Sequence, residues 1–212
     1  MITSLFHDWE RRLASVSKDR VVRPFEWGED WLTSNGHHGH DAQARVHRWV
    51  TEVMTDTRAF FDAPAIQDYR FEDASAHERQ QGEGGTLRFP SALVTPHEVN
   101  NTVHARWFPA VGTRPLSERR AVLVMSQWNA DPEGHVGLAR LLARFGVSAL
   151  RISLPYHDRR MPTELTRADY IVSSNIARTV QVCRQAVLDA RRAIAWLALQ
   201  GYERIGILGT SL

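Results

Sequence analysis

The sequence predicts an α/β protein: a mostly parallel sheet flanked by helices, preceded by a helical N-terminal extension. Three observations carry this. Ala121-Val122-Leu123-Val124-Met125 is an unbroken apolar run, as expected of a strand buried on both faces. From there on, strand-like and helix-like segments alternate, which argues for parallel strands joined by helical crossovers. Ahead of Asp68, by contrast, apolar residues recur at helical spacing.

Residues 1–66 are read as the extension and 67–212 as the α/β domain. Leu5, Trp9, Leu13 and Val16 repeat at intervals of four, four and three, and Val46, Trp49, Val50, Val53, Met54 and Phe60 suggest a second amphipathic helix closed before Pro64. The stretch between them is irregular. Such an extension could be a lid, a dimerisation arm or a brace packed against the sheet, and the brace is the preferred reading. Gln80 to Gly85 reads as a loop, and Leu87 to Val94 and Thr102 to Phe108 as two strands separated by a turn around Pro96 to Asn101.

After the Ala121 strand, Asp131-Pro132-Glu133 has the pattern of a helix start, with an N-cap acid and proline at the first helical position. Val136, Leu138, Ala139, Leu141, Leu142 and Phe145 are expected to face the sheet, and Gly146 to end the helix. Val147 to Leu154 is the next strand, closed by Pro155, and a loop runs from Tyr156 to about Ser174. A long helix follows Asn175, with Ile176, Val180, Cys183, Val187, Ala190, Ile194 and Leu197 on one stripe. Gly201 stops it, and Arg204 to Leu208 is the last strand.

Composition narrows the function classes. At 212 residues and 43% hydrophobic content the chain can bury a real core, and one main domain is the default. The net charge is +2, Lys18 is the only lysine, and the arginines are scattered, so a nucleic-acid partner is disfavoured. No secretion leader opens the sequence and no apolar stretch approaches the roughly 18 residues of a membrane span, so a soluble, cytoplasmic protein is expected. A single cysteine, Cys183, excludes an internal disulfide and a cysteine-based metal framework. His37, His38, His40 and Asp41 lie among glycines at a spacing that suits neither a helical pair nor a zinc module, so no metal site is assigned.

The chemistry is concentrated in Gly209-Thr210-Ser211-Leu212, directly after the apolar run Arg204 to Leu208. Gly-x-Ser at the end of a buried strand, two βα units into the domain, resembles the nucleophile elbow of the α/β-hydrolase superfamily. The resemblance covers roughly residues 85–212, the N-terminal part of that fold. It implies Ser211 as nucleophile in a serine hydrolase of carboxylic esters or related acyl bonds, with no cofactor and a small-molecule substrate. It also implies that the triad acid and histidine follow Leu212, so residues 1–212 alone are expected to be inactive; none of the ten histidines present is assigned as base.

In this superfamily the oxyanion hole uses the backbone N–H after the nucleophile, here Leu212, plus one from the loop after the first central strand. That loop is Ser126-Gln127-Trp128-Asn129-Ala130-Asp131, which lacks the His-Gly frequent there; Trp128 is the preferred donor and Gln127 the second. Pro155-Tyr156-His157-Asp158-Arg159-Arg160-Met161-Pro162 resembles a Pro-Tyr-His-x-Arg-Arg-x-Pro stretch of hydrolases in this superfamily. His157, Arg159 and Arg160 are the candidate substrate contacts, although a solvated loop with Asp158–Arg pairs fits the same residues. An acyltransferase on the same fold, or a non-catalytic binding protein, would share these features. Oligomeric state is not legible.

Overall fold

The computed structural model describes residues 2–16, 22–32, 41–112 and 115–211. In chain order the regular elements are α1 (Ile2–Val16), α2 (Ala42–Thr55), α3 (Thr57–Phe60), β1 (Arg70–Asp73), α4 (Ala76–Gln80), β2 (Gly85–Pro90), β3 (Thr102–Phe108), β4 (Arg120–Met125), α5 (Val136–Arg144), β5 (Val147–Ile152), α6 (Ile176–Leu199) and β6 (Arg204–Gly209). The strands form one sheet in the order β1-β2-β3-β5-β4-β6.

The sheet is mixed rather than mostly parallel. β1 pairs β2, β2 pairs β3 and β3 pairs β5 antiparallel, whereas β4 pairs both β5 and β6 in parallel. The physical reason lies in the connections. Short links among β1, β2 and β3 can only reverse the chain, while β4, β5 and β6 are separated by helices that carry it back to the same end. From β4 the chain moves to β5 on one side, and from β5 it crosses back over β4 to β6. Right-handed crossovers in opposite directions put α5 and α6 on opposite faces.

Each face has its own core. Leu87, Phe89, Val103, Ala105, Leu123, Leu150 and Ile152 pack against Ala190, Ala193, Trp196 and Leu197 of α6. Val122, Val124 and Ala149 pack against Val136, Ala139 and Ala143 of α5. A fully buried leucine such as Leu123 contributes on the order of 2 kcal/mol by leaving water.

Several local expectations shift. Helix α5 begins at Val136, a turn later than Asp131-Pro132-Glu133, because the Asp131 carboxylate accepts from the Glu133 N–H in a tight turn and His135, at φ 67°, breaks the helical path. Leu141 and Phe145 are exposed, so its buried face is the narrower row Val136, Ala139, Ala143. The buried face of α6 is rotated from the expected stripe: Ile176, Val180 and Val187 are exposed, while Gln181, Gln185, Asp189 and Arg192 are buried. Arg70–Asp73 and Ala76–Gln80 add a strand and a helix turn that the sequence did not separate from loop.

The extension packs on α6, and its last residue, Ile66, joins the core between the sheet and α6. Leu32, Val46 and Trp49 cluster with Ala177, the Gln181 side chain donates to the Trp31 carbonyl at 3.1 Å, and the Arg184 Nε–H donates to the Phe60 carbonyl at 2.7 Å. In α1, Leu5, Trp9, Leu13 and Val16 are exposed. Among the described residues, no helix is long and apolar enough to cross a membrane.

Candidate active site

Three segments meet at the carboxyl ends of the parallel strands, where open α/β sheets bind ligands. The first is the chain beyond β6. Met125 of β4 lies opposite Gly209, and the Thr210 N–H donates to the Met125 carbonyl at 3.3 Å, so the two strands run together up to Ser211. Ser211 then takes a left-handed backbone, φ 49°, and is exposed. That region is sparsely populated by residues with a Cβ, so a sharp turn is held here at a cost of about 1 kcal/mol or more. The His135 Nε2 lies 2.8 Å from the Thr210 hydroxyl, which ties the start of α5 to the residue before Ser211. Leu212 lies outside the described residues.

The second segment is the loop after β4. Two of its N–H groups are engaged. Asn129 donates to the His157 Nε2 at 2.8 Å and Ala130 to the Gln127 carbonyl at 3.2 Å. The N–H groups of Gln127 and Trp128 make no hydrogen bond among the described residues. The loop is held from above as well: the Trp128 Nε1–H donates to the Ala168 carbonyl at 3.1 Å, the Asn129 side-chain oxygen accepts from the Ala168 N–H at 3.1 Å, and Arg167 stands over the Trp128 ring at 4.8 Å.

The third segment is Pro155 to Pro162. It is not a solvated loop. Tyr156, His157 and Arg160 are buried, and only Arg159 of the three candidate contacts is exposed. The Arg160 guanidinium donates to the Asn100 and Ser153 carbonyls and to the Asp189 carboxylate at 2.8 to 3.0 Å. The His157 ring lies between the Pro155 carbonyl and the Asn129 N–H. Burial pushes its pKa below the ordinary imidazole value; Arg151 and Arg160 act the same way, against the Pro155 hydrogen bond and Asp158. Arg159 lines a polar cavity of about 140 Å³ with Glu72, Glu78, Glu83 and Arg88, toward the β1–β2 side of the sheet, whereas Ser211 follows the strand at the other edge. The structure thus brings Ser211, Gln127, Trp128 and, through Asn129, His157 into one region. Arg159 and the fully buried Arg160 do not join them.

Asn129 and Asp189 escaped the reading of the sequence. Asn129 adopts φ 56°, and the signal available was its residue type, since asparagine is the side chain that best tolerates this conformation. Asp189 had no signal, being one polar residue on an otherwise regular helix. His37, His38 and His40 lie outside the described residues, and Asp41 caps α2 through its carboxylate. Among the described residues, no group of three or more His, Cys, Asp or Glu side chains is placed to hold a metal. Cys183 is half-buried, and burial raises its thiol pKa.

No protein-family model matches the chain, and no curated protein matches it. Solved structures do. An acetyl xylan esterase from Paenibacillus sp. R4 is 14% identical with a TM-score of 0.51, over 73% of this chain and 49% of that one. A Bacteroides fragilis NCTC 9343 protein assigned as an acetyl xylan esterase is 13% identical with a TM-score of 0.50, over 78% of this chain and 47% of that one. This chain therefore spans about half the length of these neighbours. At such identities the likeness establishes the architecture: six strands flanked by helices in an α/β-hydrolase fold.

Proposed function

We propose that this chain carries the nucleophile side of a serine hydrolase that cleaves a carboxylic ester or related acyl bond. The observation that supports it most is the placement of Ser211: exposed, on a left-handed turn at the carboxyl end of β6, beside a loop whose Gln127 and Trp128 N–H groups have no partner among the described residues.

In this reading the Ser211 hydroxyl attacks the substrate carbonyl while a histidine base takes its proton. The carbonyl π pair moves onto oxygen, and the resulting oxyanion is held by the N–H of Trp128 or Gln127 together with that of Leu212. Preorganised donors of this kind act on charge that develops only in the tetrahedral intermediate. The C–O bond to the leaving group then breaks, the histidine returns the proton to the departing alcohol, and water hydrolyses the acyl-enzyme by the same route. Neither the base nor its carboxylate partner is assigned to a residue of 1–212. His135 is not assigned as base, because its Nε2 is directed at Thr210. The substrate is a small ester, and no cofactor takes part. Arg159 remains a candidate contact only for a substrate long enough to cross the sheet's end.

An active-site-directed fluorophosphonate tests this on the full-length protein. Ser211 should be labelled, and Ser211→Ala should abolish both labelling and hydrolysis of p-nitrophenyl acetate. Unlabelled Ser211, with turnover unchanged in Ser211→Ala, would leave the reading without support.

A further inference from the structure

His157 sits on a segment whose shape is forced from both sides. Its neighbours Tyr156 and Asp158 both have left-handed backbones, φ 61° and 54°, although neither is glycine. Each such residue costs about 1–2 kcal/mol and persists only when its surroundings fix it. Those surroundings are explicit. The Tyr156 N–H donates to the Asn100 side-chain oxygen at 2.9 Å, and its hydroxyl pairs with the His97 Nδ1 at 2.9 Å. The Asp158 carboxylate accepts from Arg151 at 3.0 Å and from the Ser153 hydroxyl at 2.9 Å. His157, between these anchors, is 2% exposed.

The ring's two nitrogens face unlike partners. Nδ1 lies 2.8 Å from the Pro155 carbonyl, which can only accept, so Nδ1 carries the hydrogen. Nε2 is then a bare acceptor, and the group facing it at 2.8 Å is the Asn129 N–H. Turning that N–H inward bends the loop at Asn129, itself left-handed at φ 56°. The two preceding N–H groups, of Trp128 and Gln127, make no hydrogen bond among the described residues.

We propose that His157, as its neutral Nδ1–H tautomer, is a positioning residue for the oxyanion loop: by accepting the Asn129 N–H it fixes the direction of the Gln127 and Trp128 donors. This rests on the hydrolase reading of Ser211. His157 touches no reacting atom in this account. The charged groups facing it are Arg151 from β5 and Asp158 and Arg160 from its own segment; Arg160 is in turn paired with Asp189 from α6. Both arginines and burial keep the ring neutral. A proton on Nε2 would set two donors against each other and release the Asn129 N–H.

The test uses the full-length protein and three versions of residue 157. His157→Gln keeps an acceptor near the Nε2 position, and His157→Leu removes it. With p-nitrophenyl acetate, His157→Leu should lower kcat by about a hundredfold, the scale of a misplaced catalytic group, with KM changed only a few-fold. Fluorophosphonate labelling of Ser211 should slow in parallel, and His157→Gln should recover to within about tenfold of the parent protein. Loss of kcat that His157→Gln does not restore, or kcat in His157→Leu equal to the parent, overturns the proposal. Should His157→Leu fail to fold, the His157 tautomer decides: long-range nitrogen–proton NMR of the parent protein must show hydrogen on Nδ1 and none on Nε2, and the reverse overturns it. Failure of the hydrolase reading is distinguishable, because the parent protein would then leave Ser211 unlabelled whatever occupies position 157.

Discussion

Arg160 donates to Asp189 across 2.9 Å at a depth where the two side chains are 0% and 1% exposed. The pair joins the segment after β5 to the middle of α6. It is embedded in further bonds: Ser91 donates to the same carboxylate at 2.7 Å, and the Gln185 amide nitrogen donates to Ser91 at 3.0 Å while its oxygen accepts from Asn100 at 2.9 Å. Burial pushes the Asp189 carboxyl above its usual range, and Arg160 is the main influence pulling it back. An ion pair so deep is not in itself stabilising relative to apolar residues, but removing one partner strands the other.

Arg160→Met should therefore cost about 3–5 kcal/mol, read as a fall in the urea midpoint with little change in slope. The double variant Arg160→Met with Asp189→Leu should recover a large part of that loss. A single-variant cost below about 1 kcal/mol would show that the carboxylate finds other partners.

This pair also marks the limit of what the sequence discloses. The order of strands and helices after Ala121 was legible because apolar runs and 3.6-residue periodicity report burial directly. The face of α6 was not, because Gln181, Gln185, Asp189 and Arg192 repeat at helical spacing on the buried side and their partners come from Trp31, Ser91, Asn100, Pro90 and Arg160. A polar stripe with distant partners looks like a solvated face. For the same reason His157 and Arg160 read as substrate contacts: a dense run of polar residues after a strand says that something is bound there, and here much of what is bound is the protein itself. That the loop after β4 and the chain beyond β6 lie side by side follows from position, since the ends of adjacent parallel strands must lie together; the roles given to Ser211, Gln127 and Trp128 come from the resemblance.

His104 on β3 makes stability depend on pH. Burial, reinforced by Arg88, lowers its pKa to about 4, and its Nδ1 is buried without a hydrogen-bond partner among the described residues. The unfolded chain has the ordinary value near 6.5. Between those values the unfolded state binds a proton that the folded state refuses, so stability falls as pH falls. The contribution is fully present above about pH 6.5, is lost down to about pH 4, and loses nothing further below. The slope in that window is at most about 1.4 kcal/mol per pH unit, and partial solvent access to the ring keeps it lower. Urea midpoints at pH 4.5, 5.5 and 7 check this. His104→Leu should flatten the slope, and an unchanged slope would assign it to other groups.

Gly28 of the extension packs against Asn175, the residue that caps α6. The Gly28 φ is 72°, and a Cβ built there would lie 1.9 Å from the Asn175 side-chain oxygen. That oxygen accepts the Arg178 N–H and caps α6, while the Asn175 amide nitrogen donates to Glu26 at 2.8 Å. Gly28→Ala should combine left-handed strain of about 1–2 kcal/mol with loss of a cap worth about 1 kcal/mol. The damage should be local first. Hydrogen exchange at the Ile176 and Ala177 amides, which bond to the Glu26 and Trp27 carbonyls, should accelerate more than exchange in β4. Equal acceleration in both places would mean that the segment around Gly28 unfolds with the sheet and does not act as a separable brace.

If Trp128 contributes a backbone donor, its side chain matters only as a mooring. Beyond its apolar packing against Ala168 and Ile171, the indole has two polar attachments among the described residues, the Nε1–H bond to the Ala168 carbonyl and the Arg167 guanidinium over its ring. Trp128→Phe keeps a ring for Arg167 and loses one hydrogen bond worth about 1 kcal/mol, so kcat should fall by no more than about tenfold. Trp128→Ala loses both attachments and frees the loop from Ala168 on that side, while the Asn129 bonds and the Arg151 bond to the Asp131 carbonyl remain. Its kcat should fall by about a hundredfold, with KM less affected, because misplaced donors weaken the transition state more than the ground state. The order of the two variants is the informative result. Full-length Trp128→Ala that turns over p-nitrophenyl acetate as fast as Trp128→Phe would show that the mooring does not reach the donors.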